Sequence, residues 1–293
     1  MKNIIVITGG AGFVGSNLIE YLLIKEKKIK IISLDNYSTG TKKNHIKNHR
    51  VLYINGDTKN TNKILKKYKK KIHSFFHFGE FSRIYQSFLK MKDCVDSNSI
   101  GTHEVFNFCL KNKIKLIYSA TSASIGNKGE DKNLSPYAFL KAKNLELLEN
   151  LKKWFKFKFE IIYFYNVYGP KQISKGNMAT VIGVFEDQYK KKKPLTVVKP
   201  GTQSRRFTHI FDTVEVCYLA WKKKRNRHYS ISHKKSYSIK EVAKMFKFKI
   251  KLVKSRKGER FASALTSMNL SNKVHKIFGK IELKDYINDI INS

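Results

Sequence analysis

Tyr137 and Lys141 open the run Tyr137-Ala138-Phe139-Leu140-Lys141, and a helix there would place both on one face, one turn apart. A neighbouring ammonium favours the phenolate, drawing a phenol down from its ordinary value near ~10 toward a range where it accepts protons. The pair alone is common on helices. It gains weight from Tyr118-Ser119-Ala120-Thr121-Ser122-Ala123-Ser124, a hydroxyl-rich stretch that follows an apolar strand. A second pattern lies at the other end of the chain. There Thr8-Gly9-Gly10-Ala11-Gly12-Phe13-Val14-Gly15 separates the apolar run Asn3 to Ile7 from the amphipathic run Ser16 to Leu23. Glycines at a strand-to-helix junction let the backbone approach a pyrophosphate, whose charge meets the open N–H groups and positive dipole end of the helix. The spacing therefore points to a dinucleotide site, with a tuned phenol elsewhere in the chain.

The elements that must position these groups read as strands alternating with helices. After the first unit, Lys30 to Leu34 forms a buried strand ending at Asp35, whose carboxylate can accept ribose hydroxyls and would repel a 2′-phosphate. NAD is favoured over NADP, although Lys42 and Lys43 follow closely. Further strands are expected at Val51 to Ile54, Ser74 to Phe78, Lys115 to Tyr118 and Glu160 to Phe164. This alternation predicts an α/β fold with a Rossmann-type doubly wound parallel sheet and a smaller, mixed α/β C-terminal part. Residues 1–168, with a return segment at about 205–232, would form the dinucleotide-binding domain. Residues 169–204 and 233–293 would form the substrate domain. A helix is expected over Asp212 to Lys222, and a second over Tyr237 to Phe246, opened by Ser238 ahead of Glu241.

Bulk properties narrow the classes. The 293 residues suit one large domain with a satellite, and no apolar stretch approaches the roughly 20 residues of a membrane span. A cytoplasmic enzyme without a metal site is the expectation. Cys94, Cys109 and Cys217 are widely spaced and read as reduced structural thiols. The net charge of +37 is spread along the whole chain, which reads as compositional drift toward lysine. Its functional alternative is attraction of anionic partners such as nucleotides, acidic glycans or nucleic acid.

Taken in order, these motifs resemble the extended short-chain dehydrogenase/reductases, and within them the nucleotide-sugar epimerases of the UDP-galactose 4-epimerase type. The likeness covers nearly the whole chain. The glycine signature of that family falls on Thr8, Gly9, Gly12 and Gly15, its second-strand Asp on Asp35, and its Gly-Asp on Gly56-Asp57. The resemblance implies NAD contacts from Gly9, Gly12, Phe13, Val14, Gly15, Asp35, Asn36, Asp57, Thr58, Phe78, Gly79, Ser82 and Asn98. It further implies a triad of Thr121, holding the sugar hydroxyl, Tyr137, exchanging its proton, and Lys141, binding the nicotinamide ribose and lowering the pKa of Tyr137. Substrate contacts would come from Ser82, Thr121, Asn166, Asn177, Arg205, Arg256, Glu259 and Ser263. Three positions depart from the family pattern: Glu80 stands for Ala, Arg206 for Asp, and Glu259 for Asp.

Family members that dehydrate the sugar carry Asp-Glu after the catalytic Thr, and here Ser122 and Ala123 follow Thr121. Inversion at C4 of a UDP-hexose or UDP-N-acetylhexosamine through a 4-keto sugar is therefore expected, with Ser263 leaving room for an N-acetyl group. The alternatives are an ADP-heptose-type epimerase, suggested by Asn166 to Pro170 and Gly176 to Ala179, and a 4-keto-sugar reductase. An alternative of another class is an NAD-bound nucleic-acid-binding protein, prompted by the charge. The family commonly dimerises through helices that would here span Asn98 to Lys111 and Tyr137 to Leu151.

Overall fold

A computed structural model describes residues 2–124, 132–223, 226–254 and 274–293. The first half of the chain alternates strand and helix: β1 (Ile4–Thr8), α1 (Phe13–Lys25), β2 (Lys30–Asp35), β3 (Val51–Asn55), α2 (Thr61–Leu65) and β4 (Ile72–His77). Short helices α3 (Ile84–Leu89) and α4 (Met91–Val95) then lead into α5 (Thr102–Lys111), β5 (Lys115–Thr121), α6 (Pro136–Phe155) and β6 (Phe159–Phe164). Each strand expected from an apolar run is present, the fifth running on to Thr121.

Among the described residues these strands join an eight-stranded parallel sheet ordered β14-β11-β6-β5-β4-β1-β2-β3, where β11 is His228–Ser232 and β14 is Val274–Phe278. Side chains alternate between its faces. Ile4 and Val6 enter one core with Phe75, Leu116 and Phe159, whereas Ile5 and Ile7 enter the opposite core with Phe76, Ile117 and Ile162. Burial on both faces explains why the strands read as unbroken apolar runs. The order reverses between β1 and β4, which opens a crevice beyond the carboxyl ends of the strands, where Thr8, Asp35, His77 and Thr121 lie.

Past β6 the chain becomes less regular: β7 (Val167–Tyr168), α7 (Val181–Lys190), β8 (Leu195–Val198), β9 (Ser204–Arg206) and β10 (Thr208–His209) precede α8 (Ile210–Lys223). Helix α8 packs back on the sheet beside α1, burying Val214, Cys217 and Trp221 with Leu18 and Leu22. After β11 come β12 (Ser236–Ser238), α9 (Ile239–Met245), β13 (Ile250–Val253) and, beyond β14, α10 (Leu283–Asn292). Ser238 and Glu241 form the expected capping box of α9. A third core gathers Ile182, Phe185, Leu195 and Val197 with Val242, Phe246, Leu283 and Ile287, so two separate stretches of chain build the satellite region together. One element departs from the sequence expectation. The sequence places residues 233–293 in that region, whereas β14 pairs with β11 and extends the main sheet.

Candidate active site

The crevice is an open cleft of about 850 Å³ bounded by the carboxyl ends of the sheet on one side and the segment around Met178 to Phe185 on the other. Its floor is the turn between β1 and α1. Gly9 has φ +69°, and a Cβ there would lie 2.9 Å from the backbone nitrogen of Gly79. Helix α1 has Gly12 at its N-cap, no side-chain cap and no acidic residue in its first turn. Its leading N–H groups therefore remain for an anion. At the tip of β2, Asp35 accepts the N–H groups of Ala11 and Tyr37 at 2.9 and 2.8 Å. Burial pushes its carboxyl up despite those bonds. The carboxylate lines the cleft, where it can accept a hydroxyl. An uncapped helix end, a turn without side chains and an acceptor beside it suit the pyrophosphate and ribose of a dinucleotide.

Across the cleft, Ser135 caps α6 by accepting the N–H of Ala138, and Pro136 occupies its first turn. The helix buries a stripe of Tyr137, Lys141, Asn144 and Leu148. Tyr137 and Lys141 line the cleft with Thr121 from the end of β5. Lys141 is 3 % exposed, and its ammonium donates to the Glu80 carboxylate and to the Ser119 carbonyl. It also sits 4.3 Å from the Tyr118 ring centroid. Burial lowers the pKa of Lys141, and Glu80 works against that fall. Two of three donors are thus engaged inside the protein, leaving the third for the cleft.

The model of the NAD dependent epimerase/dehydratase family matches residues 5–232. The chain belongs to that family. A putative UDP-glucose 4-epimerase from Methanocaldococcus jannaschii is 26% identical over 98% of this chain and 97% of its own length. An ADP-L-glycero-D-manno-heptose-6-epimerase from Brachyspira hyodysenteriae is 32% identical over 72% of this chain and 70% of its own. The crystal structure of a UDP-glucuronic acid 4-epimerase from Bacillus cereus, in complex with UDP-glucuronic acid and NAD, superposes with a TM-score of 0.82 at 26% identity, covering 99% of each chain.

Most of the positions expected from this epimerase/dehydratase pattern converge on one cleft. Gly9, Gly12, Phe13, Val14, Gly15, Asp35, Asn36, Asp57, Thr58, Phe78, Gly79, Ser82, Thr121, Tyr137, Lys141, Asn166 and Arg205 all line it. Asn98 does not. Its amide bonds the backbone of Phe81, accepting at 2.7 Å and donating at 2.8 Å, so it braces the loop that carries Glu80 and Ser82. Asn177 points to solvent, and its neighbours Met178 and Ala179 face the cleft instead. Arg256, Glu259 and Ser263 lie outside the described residues.

The sequence expectation missed a buried polar chain beneath the cleft. Thr8 Oγ1 accepts the N–H groups of Phe78 and Gly79 at 3.1 and 3.0 Å, so its own proton goes to His77 Nδ1 at 2.7 Å. That makes Nε2 the protonated nitrogen, donating to Thr102 Oγ1 at 3.0 Å, and Thr102 donates to Glu80 Oε1 at 3.1 Å. Tyr118 donates to the same oxygen at 2.9 Å and accepts from Asn144 at 3.2 Å. Arg83 was also missed. Its Nε and Nη2 donate to the Met178 carbonyl at 2.9 and 2.6 Å, tying the loop after β4 to the far wall of the cleft. Of these residues the sequence marked Thr8, in the glycine signature, and Glu80, as a departure from the family pattern, but not the bonds that join them.

Proposed function

We propose that the chain is an NAD-dependent nucleotide-sugar epimerase that inverts C4 of a UDP-hexose or UDP-N-acetylhexosamine through a transient 4-keto sugar. The observation that carries this reading is the meeting of Thr121, Tyr137 and Lys141 in the cleft that the glycine turn floors. Gly9, Gly12, Gly15 and the start of α1 would hold the NAD pyrophosphate, Asp35 the adenosine ribose, and Lys141 the nicotinamide ribose. When bound, NAD supplies a reversible hydride acceptor. Tyr137 takes the proton of the sugar hydroxyl and later returns it, acting as general base and then general acid. Thr121 orients that hydroxyl, and Asn166 and Arg205 bind the diphosphate, a guanidinium suiting phosphate oxygens by its forked geometry.

The residues after Thr121 support inversion over dehydration. Ser122 and Ala123 are buried and provide neither acid nor base. The Glu80 carboxylate, which also borders the cleft, is engaged by Lys141, Tyr118 and Thr102. The 32% identity to a heptose epimerase favours a second reading in which the sugar is an ADP-heptose. We further propose a homodimer across α5 and α6, next to which Ile100 and Phe139 remain 52% and 44% exposed.

Incubating the purified protein with a panel of nucleotide sugars and following them by proton NMR tests the reaction. One UDP-hexose or UDP-N-acetylhexosamine is expected to reach equilibrium with its C4 epimer without added NADH. Formation of a 4-keto-6-deoxy sugar instead, or dependence on stoichiometric NADH, would overturn the assignment.

A further inference from the structure

We propose that Glu80 is the positioning residue for Lys141, fixing the place and the charge of the ammonium that the cleft presents to the nicotinamide ribose and to Tyr137. The kcat side of this inference rests on the reaction proposed above; the binding side stands without it. Glu80 and Lys141 form an ion pair in which each side chain is only 3% exposed. A lysine so deep in the protein keeps its proton only beside a counter-charge, since desolvation disfavours the ammonium. Among the described residues, Glu80 is the carboxylate that supplies it. The carboxylate is itself held from three directions, by the Tyr118 and Thr102 hydroxyls on Oε1 and by Lys141 on Oε2.

Among the described residues, Glu80 is the carboxylate that acts on Lys141, and the buried Arg83 guanidinium near Tyr137 adds a like charge rather than a counter-charge. His77 on β4 is neutral, its pKa brought down to about 4 by burial. Cys94 on α4 is a thiol pushed up to about 12, and burial holds Tyr118 on β5 well above its ordinary range. Tyr137 on α6 completes the set. Beside the Glu80 carboxylate, Lys141 keeps its ammonium at the wall of the cleft; without that counter-charge, burial acts unopposed and draws the pKa of the lysine further down.

The test compares wild type with Glu80→Gln and Glu80→Asp, measuring NAD affinity by titration calorimetry and kcat across pH 6 to 9. Wild type is expected to hold both constant above neutrality. Glu80→Gln is expected to gain an alkaline limb, with kcat and NAD affinity each falling roughly tenfold or more between pH 7 and pH 9 as Lys141 deprotonates. Glu80→Asp keeps the charge one methylene further back, and is expected to restore most of the wild-type profile. It also keeps the proposal testable if the Gln variant does not fold. A uniform drop across pH in Glu80→Gln, or profiles that match wild type in both variants, would overturn the proposal. If no sugar substrate is found, the NAD titrations alone decide it, so failure of the reaction assignment and failure of this inference remain distinguishable.

Discussion

His77 shows how a single side chain sets the condition on which the site depends. It is completely buried, takes the Thr8 hydroxyl proton on Nδ1 and gives its Nε2 proton to Thr102, an arrangement open only to the neutral ring. Its pKa falls from 6.5 to about 4 through desolvation. Below pH 6.5 the unfolded chain binds a proton that the folded chain refuses, so stability is complete above 6.5 and declines as pH drops toward 4. A shift of that size corresponds to about 3 kcal/mol. Urea unfolding at pH 7 and pH 4.5 is expected to show this loss in wild type, and a correspondingly smaller one in His77→Gln, which is already weaker at pH 7. Equal pH dependence in the two proteins would refute the assignment. Nothing in the one-dimensional pattern pointed to this residue. Thr8, His77, Thr102, Tyr118 and Asn144 come from five different elements, and no local spacing relates them.

At the scale of elements, legibility followed the range of the forces involved. Tyr137 and Lys141 were readable because one helical turn relates them, and Ser238 with Glu241 because a capping box is local. The β1-turn-α1 unit was readable for a steric reason. A Cβ on Gly15 would lie 2.2 Å from the Gly9 carbonyl oxygen and 2.8 Å from the Gly10 Cα, so the helix can start against the turn only without a side chain there. Gly15→Ala is accordingly expected to weaken NAD binding more than about tenfold and to lower the unfolding temperature by several degrees. An unchanged dissociation constant by calorimetry would show that the turn is not the cradle. Strand β14 escaped notice because Val274-His275-Lys276-Ile277-Phe278 is an edge strand, exposed at His275, Lys276 and Phe278, and lacks the continuous apolar run of its neighbours. The bonds of Asn98 to the Phe81 backbone were illegible for the opposite reason, because they join residues 17 positions apart on different elements.

The whole molecule works by bringing the sheet and the satellite core against one crevice. The sheet supplies strand ends at a topological switch point, while the satellite core, built from segments on both sides of α8, walls the opposite side. Asp212 at the start of α8 accepts the N–H groups of Lys280 and Ile281 at 3.1 Å each, and Tyr168 donates to the Ile281 carbonyl at 3.1 Å, which fastens the approach to α10 onto the sheet region. In the proposed reaction, Tyr137 moves the proton while the rest of the cleft holds its partners in place. The direct measurement is the epimerisation rate of Tyr137→Phe on whichever nucleotide sugar the wild-type protein converts, taken together with its NAD content. A loss of about 10²- to 10⁴-fold in kcat with NAD binding retained is the expected result; turnover within a few-fold of wild type would contradict the account.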